Sequence, residues 1–130
     1  MAPDREAYRI DVSADKVTLA GNGRPGLYYA VQTLRQLLSH PSGTLTVYTI
    51  VDWPEVELRC IHWDTKHHQD RLPTLKRFLD QCAAFKINAV LFELEDKFEY
   101  PSHPTIGAPG AFSTAELQAL TDYALERHVE

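Results

Sequence analysis

Two polar runs hold the residue types that chemistry would need. The first is His62-Trp63-Asp64-Thr65-Lys66-His67-His68-Gln69-Asp70, and the second is Glu93-Leu94-Glu95-Asp96-Lys97-Phe98-Glu99-Tyr100. Carboxylates accept hydrogen bonds from hydroxyls, lysine donates them, and tryptophan or tyrosine offers a stacking face. The combination suits a polar ligand with many hydroxyls. By spacing alone, ordinary solvated loop charges account for the two runs equally well. The histidines and carboxylates of the first run match no zinc spacing and lack an identifiable third ligand from another element, so no metal is expected. Glu93 and Glu95 would fall on one face of a strand. A retaining glycosidase of the two-carboxylate type needs its carboxyls about 5–5.5 Å apart and different in acidity. Nothing in the sequence separates the acidity of these two, and they are not assigned as a catalytic pair. His40, His103 and His128 stand isolated, as surface or capping residues.

Each polar run follows an apolar one that would position it. Residues 58–63 are a short apolar run, read as a strand. Leu75, Phe78, Leu79, Cys82, Ala83 and Phe85 recur at helical spacing after Pro73, which predicts a helix over 72–85. Residues 86–88 make a turn, and 89–94 read as a second strand, apolar on both faces. A long polar loop spans 95–112. Ser113-Thr114-Ala115-Glu116 then has the form of a capping box and opens a helix to about residue 127. Strand, helix, strand, helix with both strands buried predicts parallel βαβ units. In such folds functional groups gather at the C-terminal ends of the strands, where both polar runs lie.

The upstream half has a different pattern. Tyr8, Ile10 and Val12 alternate with Arg9 and Asp11. Val17 and Leu19 continue that alternation beyond the polar turn Ser13-Ala14-Asp15, so the two runs predict a hairpin. Pro25 suits a first helical turn, and Leu27, Ala30, Val31, Leu34, Leu37 and Leu38 define an amphipathic helix over 24–39. Pro41-Ser42-Gly43 ends it, and 45–51 is a further strand. This gives one small sheet carrying one helix, with a thin core. The expected boundary lies at Asp52-Trp53-Pro54-Glu55, dividing residues 1–53 from 54–130.

Composition narrows the classes. The chain has 130 residues, 44% hydrophobic and 24% charged, with a formal net charge of −5, as in a soluble globular protein. No basic stripe is present, which argues against nucleic acid. No apolar stretch has the length of a membrane span. The N-terminal run lacks a signal-peptide core, so a cytoplasmic location is expected. Cys60 and Cys82 each sit in apolar runs and read as two buried thiols.

Several of these segments resemble a known family. Arg59-Cys60-Ile61-His62-Trp63-Asp64, Thr74-Leu75-Lys76-Arg77-Phe78 and Lys86-Ile87-Asn88 are similar to the start of the catalytic barrel in glycoside hydrolase family 20, the β-N-acetylhexosaminidases. The helix from Gly26 to Leu37 is similar to that of the small domain preceding this barrel, and Phe112-Ser113-Thr114-Ala115-Glu116-Leu117 to the start of its second helix. The runs around Asp64-Thr65-Lys66 and Glu93 to Tyr100 resemble the hexosaminidase D-like branch. The resemblance implies an α/β chain: a small accessory domain, then the first βαβα units of a truncated (β/α)₈ TIM barrel. It implies no cofactor, a carbohydrate substrate ending in N-acetylhexosamine, and a rim of Asp64, Lys66, His67, Glu93 and Asp96. In the family an Asp-Glu pair after the fourth barrel strand serves a substrate-assisted mechanism, in which the 2-acetamido oxygen is the nucleophile. This chain would stop short of that pair and be inactive alone. Classical members have an Arg-His pair where His67 and His68 stand, and histidine lacks arginine's bidentate fork and permanent charge. Two alternatives are a non-catalytic α/β binding or structural module and another TIM-barrel glycosidase with the same accessory domain. An unfinished barrel would also leave an open strand edge, prone to self-association.

Overall fold

A computed structural model describes residues 4–130. The chain divides into two compact units, Met1–Glu57 and Leu58–Glu130.

The first unit contains β1 (Tyr8–Val12), β2 (Val17–Gly21), helix α1 (Arg24–Leu38) and β3 (Tyr48–Asp52). The sheet order is β2-β1-β3, all antiparallel. The alternation in β1 does what its period requires: Tyr8, Ile10 and Val12 are buried on one face and pack with Tyr29 and Ala30 of α1. The Tyr8 hydroxyl donates to Asp52 Oδ2 at 2.7 Å and lies 2.6 Å from Thr33 Oγ1, tying β1 to β3 and α1. Gly26 brings the helix against the sheet, since an added Cβ there would lie 2.4 Å from the Ala7 carbonyl oxygen. β3 begins three residues later than the sequence pattern suggests. Its register ends at Tyr48 opposite Val12, and beyond Val12 the partner chain turns away, so Leu45 and Val47 have no strand to pair with.

The second unit contains β4 (Cys60–Asp64), α2 (Leu72–Ala84), β5 (Ala89–Glu93), a 3₁₀ helix (Glu95–Lys97) and α3 (Thr114–Leu125). β4 and β5 are parallel, with Asp64 opposite Glu93 and His62 opposite Leu91. Asn88 anchors the entry to both strands: its Oδ1 accepts from the Arg59 backbone N–H at 2.8 Å, and Arg59 Nε donates to the Lys86 carbonyl at 2.6 Å. Leu75, Leu79, Cys82 and Ala83 are buried on α2. Trp63 packs against Phe78, the ring centroids 3.9 Å apart and the planes inclined by 58°. α3 starts with the expected capping box, Ser113 and Glu116 each satisfying the other's backbone N–H. Asp80 of α2 accepts from the Tyr123 hydroxyl and from Arg127 Nε at 2.6 Å, clamping α3 to α2.

Three expectations need correction here. The strands are not buried on both faces: Leu91 is 60% exposed, and Cys60 and His62 beside it are exposed too. Only the face of Trp63, Val90 and Phe92 meets the helices. Cys60 is therefore an exposed thiol, whereas Cys82 is buried, and burial pushes its thiol pKa up to about 11. Glu95 does not share a strand face with Glu93. The strand ends at Glu93, and Glu95 opens the 3₁₀ helix with φ 44°. No helix among the described residues is long and apolar enough to cross a membrane.

Candidate functional site

The parallel register of β4 and β5 places Asp64 and Glu93 side by side at the C-terminal ends of their strands. Two like charges so placed repel unless a cation separates them. Lys66 does so. Its Nζ lies 3.1 Å from Asp64 Oδ2 and 3.0 Å from Glu93 Oε1. The chain can turn back this way because the Asp64 carboxylate caps the turn after β4, accepting from the Lys66 backbone N–H at 2.8 Å. The buried Thr65 locks the same turn to β5, its hydroxyl donating to the Glu93 carbonyl at 2.8 Å. His62 joins from one step deeper on the strand, with Nε2 2.8 Å from Glu93 Oε2.

The side chains of Asp64, Lys66 and Glu93 each keep about a third of their surface exposed, so they are fixed yet open to a ligand. The backbone hydrogen bond from Lys66, followed by the Lys66 ammonium and the nearby His67, pulls the Asp64 pKa below the ordinary aspartate range. The hydrogen bond to Glu93, then that to Asp64, raises the Lys66 pKa. The depressed Asp64 stabilises the fold above its unfolded-state pKa and gives that contribution up as pH falls through its folded value. The elevated Lys66 stabilises below its own unfolded-state pKa and gives it up as pH rises through its folded value. The pair is therefore expected to stay ionised from about pH 4 to about pH 10. Carboxyl ¹³C titration would check this, and an Asp64 midpoint at or above that of an unstructured aspartate would contradict it.

Of the five residues singled out from the sequence, Asp64, Lys66 and Glu93 meet in this network. His67 lies exposed in the loop after β4 and acts on Asp64 through its charge. Asp96 sits in the 3₁₀ helix after β5 and pairs with its neighbour Lys97. Around it the loop is ordered by backbone bonds, Ala108 N–H to the Asp96 carbonyl and Phe112 N–H to the Lys97 carbonyl. The Trp63 indole N–H donates to Asp70 at 3.0 Å, holding the far end of the first loop. His62 opens the first polar run, yet it is not one of those five rim residues. The signal available was its position two before Asp64, on the same face.

An apolar cleft of about 170 Å³ lies elsewhere, between β5 and the helices, lined by Leu79, Val90, Phe92, Leu117, Leu120 and Leu125. Its lining is otherwise apolar apart from Thr121 and Glu130, fewer polar groups than a hydroxylated ligand needs for orientation. The charged rim is the better candidate.

The model for glycosyl hydrolase family 20, domain 2, matches residues 2–53. A beta-hexosaminidase of Vibrio vulnificus is 32% identical over 90 residues, covering 69% of this chain and 11% of that protein. The chitobiase of Flavobacterium johnsoniae superposes with a TM-score of 0.87 at 30% identity, covering 95% of this chain and 20% of the other. The chain belongs to glycosyl hydrolase family 20. A mutant Streptomyces plicatus beta-hexosaminidase in complex with its product GlcNAc superposes with a TM-score of 0.84 at 30% identity, covering 95% of this chain and 30% of the other. The chain thus spans from about a tenth to about a third of the length of these relatives. The domain 2 match falls on the unit built from β1, β2, α1 and β3.

Proposed function

We propose that this chain is the N-terminal part of a family 20 glycoside hydrolase that removes terminal N-acetylhexosamine by substrate-assisted retaining hydrolysis. The observation that carries the reading is the Asp64–Lys66–Glu93 network at the C-terminal ends of two adjacent parallel strands, in a chain of this family. Such strand ends are where barrel enzymes gather their ligand contacts. On this reading β4-α2-β5-α3 are the first βαβα units of the (β/α)₈ barrel. A hydrogen-bond pattern on the far side of β5 supports this: the Glu130 N–H donates to the Asn88 carbonyl at 2.9 Å, and the Val90 N–H donates to the Glu130 carbonyl at 2.7 Å. That alternation is a parallel ladder, with Glu130 in the place of a third strand.

The chain's share of the chemistry is binding. Asp64 and Glu93 accept from sugar hydroxyls, Lys66 bridges the two carboxylates, and on this reading His67 and Asp96 are further sugar contacts from the loops. The nucleophile is the substrate's 2-acetamido oxygen, and the family's Asp-Glu pair, after the fourth barrel strand, supplies acid–base catalysis. The Asp64 and Lys66 positions favour the hexosaminidase D-like branch. The test uses the protein at its full encoded length with two aryl β-glycosides, one carrying the 2-acetamido group and one a 2-hydroxyl. Cleavage confined to the first is expected, with the 130-residue chain alone inactive. Comparable cleavage of both would refute the mechanism and favour another barrel glycosidase.

A further inference from the structure

We propose that His62 is a positioning residue for the sugar rim: its Nε2 and the Lys66 ammonium hold one oxygen each of the Glu93 carboxylate. This rests on the hexosaminidase reading above and adds to it a residue that contacts the binding group and not the sugar. The Glu93 carboxylate has two oxygens. Oε1 accepts from Lys66 at 3.0 Å and Oε2 lies 2.8 Å from His62 Nε2. An ionised carboxylate only accepts, so the histidine donates from Nε2. Held at both oxygens, the carboxylate loses its freedom to rotate about its terminal torsion, while each oxygen keeps a second acceptor site for a sugar hydroxyl.

The pair contributes little to folding. His62 is about half exposed, on the sheet face that Cys60 and Leu91 also leave open, and exposed ion pairs add little stability. The strands are already joined by their backbone ladder. What the His62 ring adds is the orientation of one carboxylate. The diagonal reach explains the residue type: His62 stands opposite Leu91, two positions before Glu93, and a ring nitrogen is long enough to bridge that offset.

The experiment measures kcat and KM for an aryl β-N-acetylglucosaminide with the protein at its full encoded length. His62→Phe is expected to raise KM about tenfold with kcat within about threefold, as loss of ground-state orientation does. His62→Gln, whose amide can still donate, recovers most of that loss. In a Glu93→Gln background, His62→Phe adds nothing further, because the two residues act as one unit. If His62→Phe proves insoluble, His62→Ala serves in the same comparison. The proposal is overturned by a wild-type KM in His62→Phe, by equal losses in the Phe and Gln variants, or by additive losses with Glu93→Gln. A wild-type protein without this activity overturns the hexosaminidase reading itself, and the role of His62 with it.

Discussion

Replacing Gly26 with alanine is expected to destabilise the first unit, although alanine is the better helix former. Helix propensity alone favours the substitution by about 1 kcal/mol. The local packing opposes it. The new Cβ would lie 2.4 Å from the Ala7 carbonyl oxygen and 3.0 Å from that of Arg5. Both are backbone atoms and cannot swing aside as a side-chain tip would. The Ala7 carbonyl also accepts from the Asn22 N–H at 2.9 Å, and the Arg5 carbonyl from the Gly26 N–H at 3.3 Å. Moving either strains the entry to β1 and the turn into α1 together. Overpacking of this kind costs roughly 1–3 kcal/mol, and each weakened hydrogen bond about 1 kcal/mol more. The net loss is expected at about 2–3 kcal/mol, a large part of the stability of a thin-cored unit. Urea unfolding followed through the amide signals of Tyr8, Ile10 and Val12 measures it. A Gly26→Ala protein at least as stable as the wild type would show that the close approach of α1 to β1 is wrong.

The close approach at Gly26 was not legible in the sequence, whereas the elements it joins were. β1 could be read because one of its faces is buried and the other is wet, which writes a period of two into Tyr8, Ile10 and Val12. α1, α2 and α3 could be read for the equivalent reason at helical spacing. Where a boundary depends on a partner, the pattern misleads. Leu45 and Val47 look like strand residues, yet β1 has no residue left to pair with them. Cys60 and Leu91 belong to apolar runs, but such a run does not say which face will be covered, and here only the Trp63 and Phe92 face is. The site divides along the same line. Asp64 and Lys66 are two residues apart and their ion pair follows from a local turn. Glu93 joins them only through the parallel register, which pairs it with Asp64 across 29 positions of sequence. Glu95 was placed with Glu93 by simple alternation, and that fails because Leu94 takes helical angles, φ −94° and ψ −32°, and ends the strand. His62 gains its role solely from a diagonal contact that no single stretch of sequence contains.

Substituting Lys66 with methionine is expected to cause the largest loss of activity from any position in the rim. Methionine keeps the length and the apolar stem and removes only the charge and the donors. Asp64 and Glu93 would then face each other across the strand pair without the cation that lies 3.1 Å from one and 3.0 Å from the other. Each carboxylate loses a charge-assisted hydrogen bond, and their mutual repulsion favours protonating one of them or turning it away. Either outcome removes an acceptor from the sugar. In the protein at its full encoded length, kcat/KM for an aryl β-N-acetylglucosaminide should fall roughly 10- to 100-fold, the range for losing one or two hydrogen bonds to charged groups. The acid limb of the pH profile should also move upward, by part of the present depression: the Lys66 backbone N–H still donates to Asp64, but the ammonium's hydrogen bond and charge, which lower Asp64 further, are gone. Lys66→Arg should recover only part of the activity: it restores the charge, but its planar fork does not fit the gap of a compact ammonium. That upward movement separates lost electrostatics from a mere fault in folding. A Lys66→Met protein with activity within twofold of the wild type and an unmoved acid limb would remove the Asp64–Lys66–Glu93 network from the substrate site.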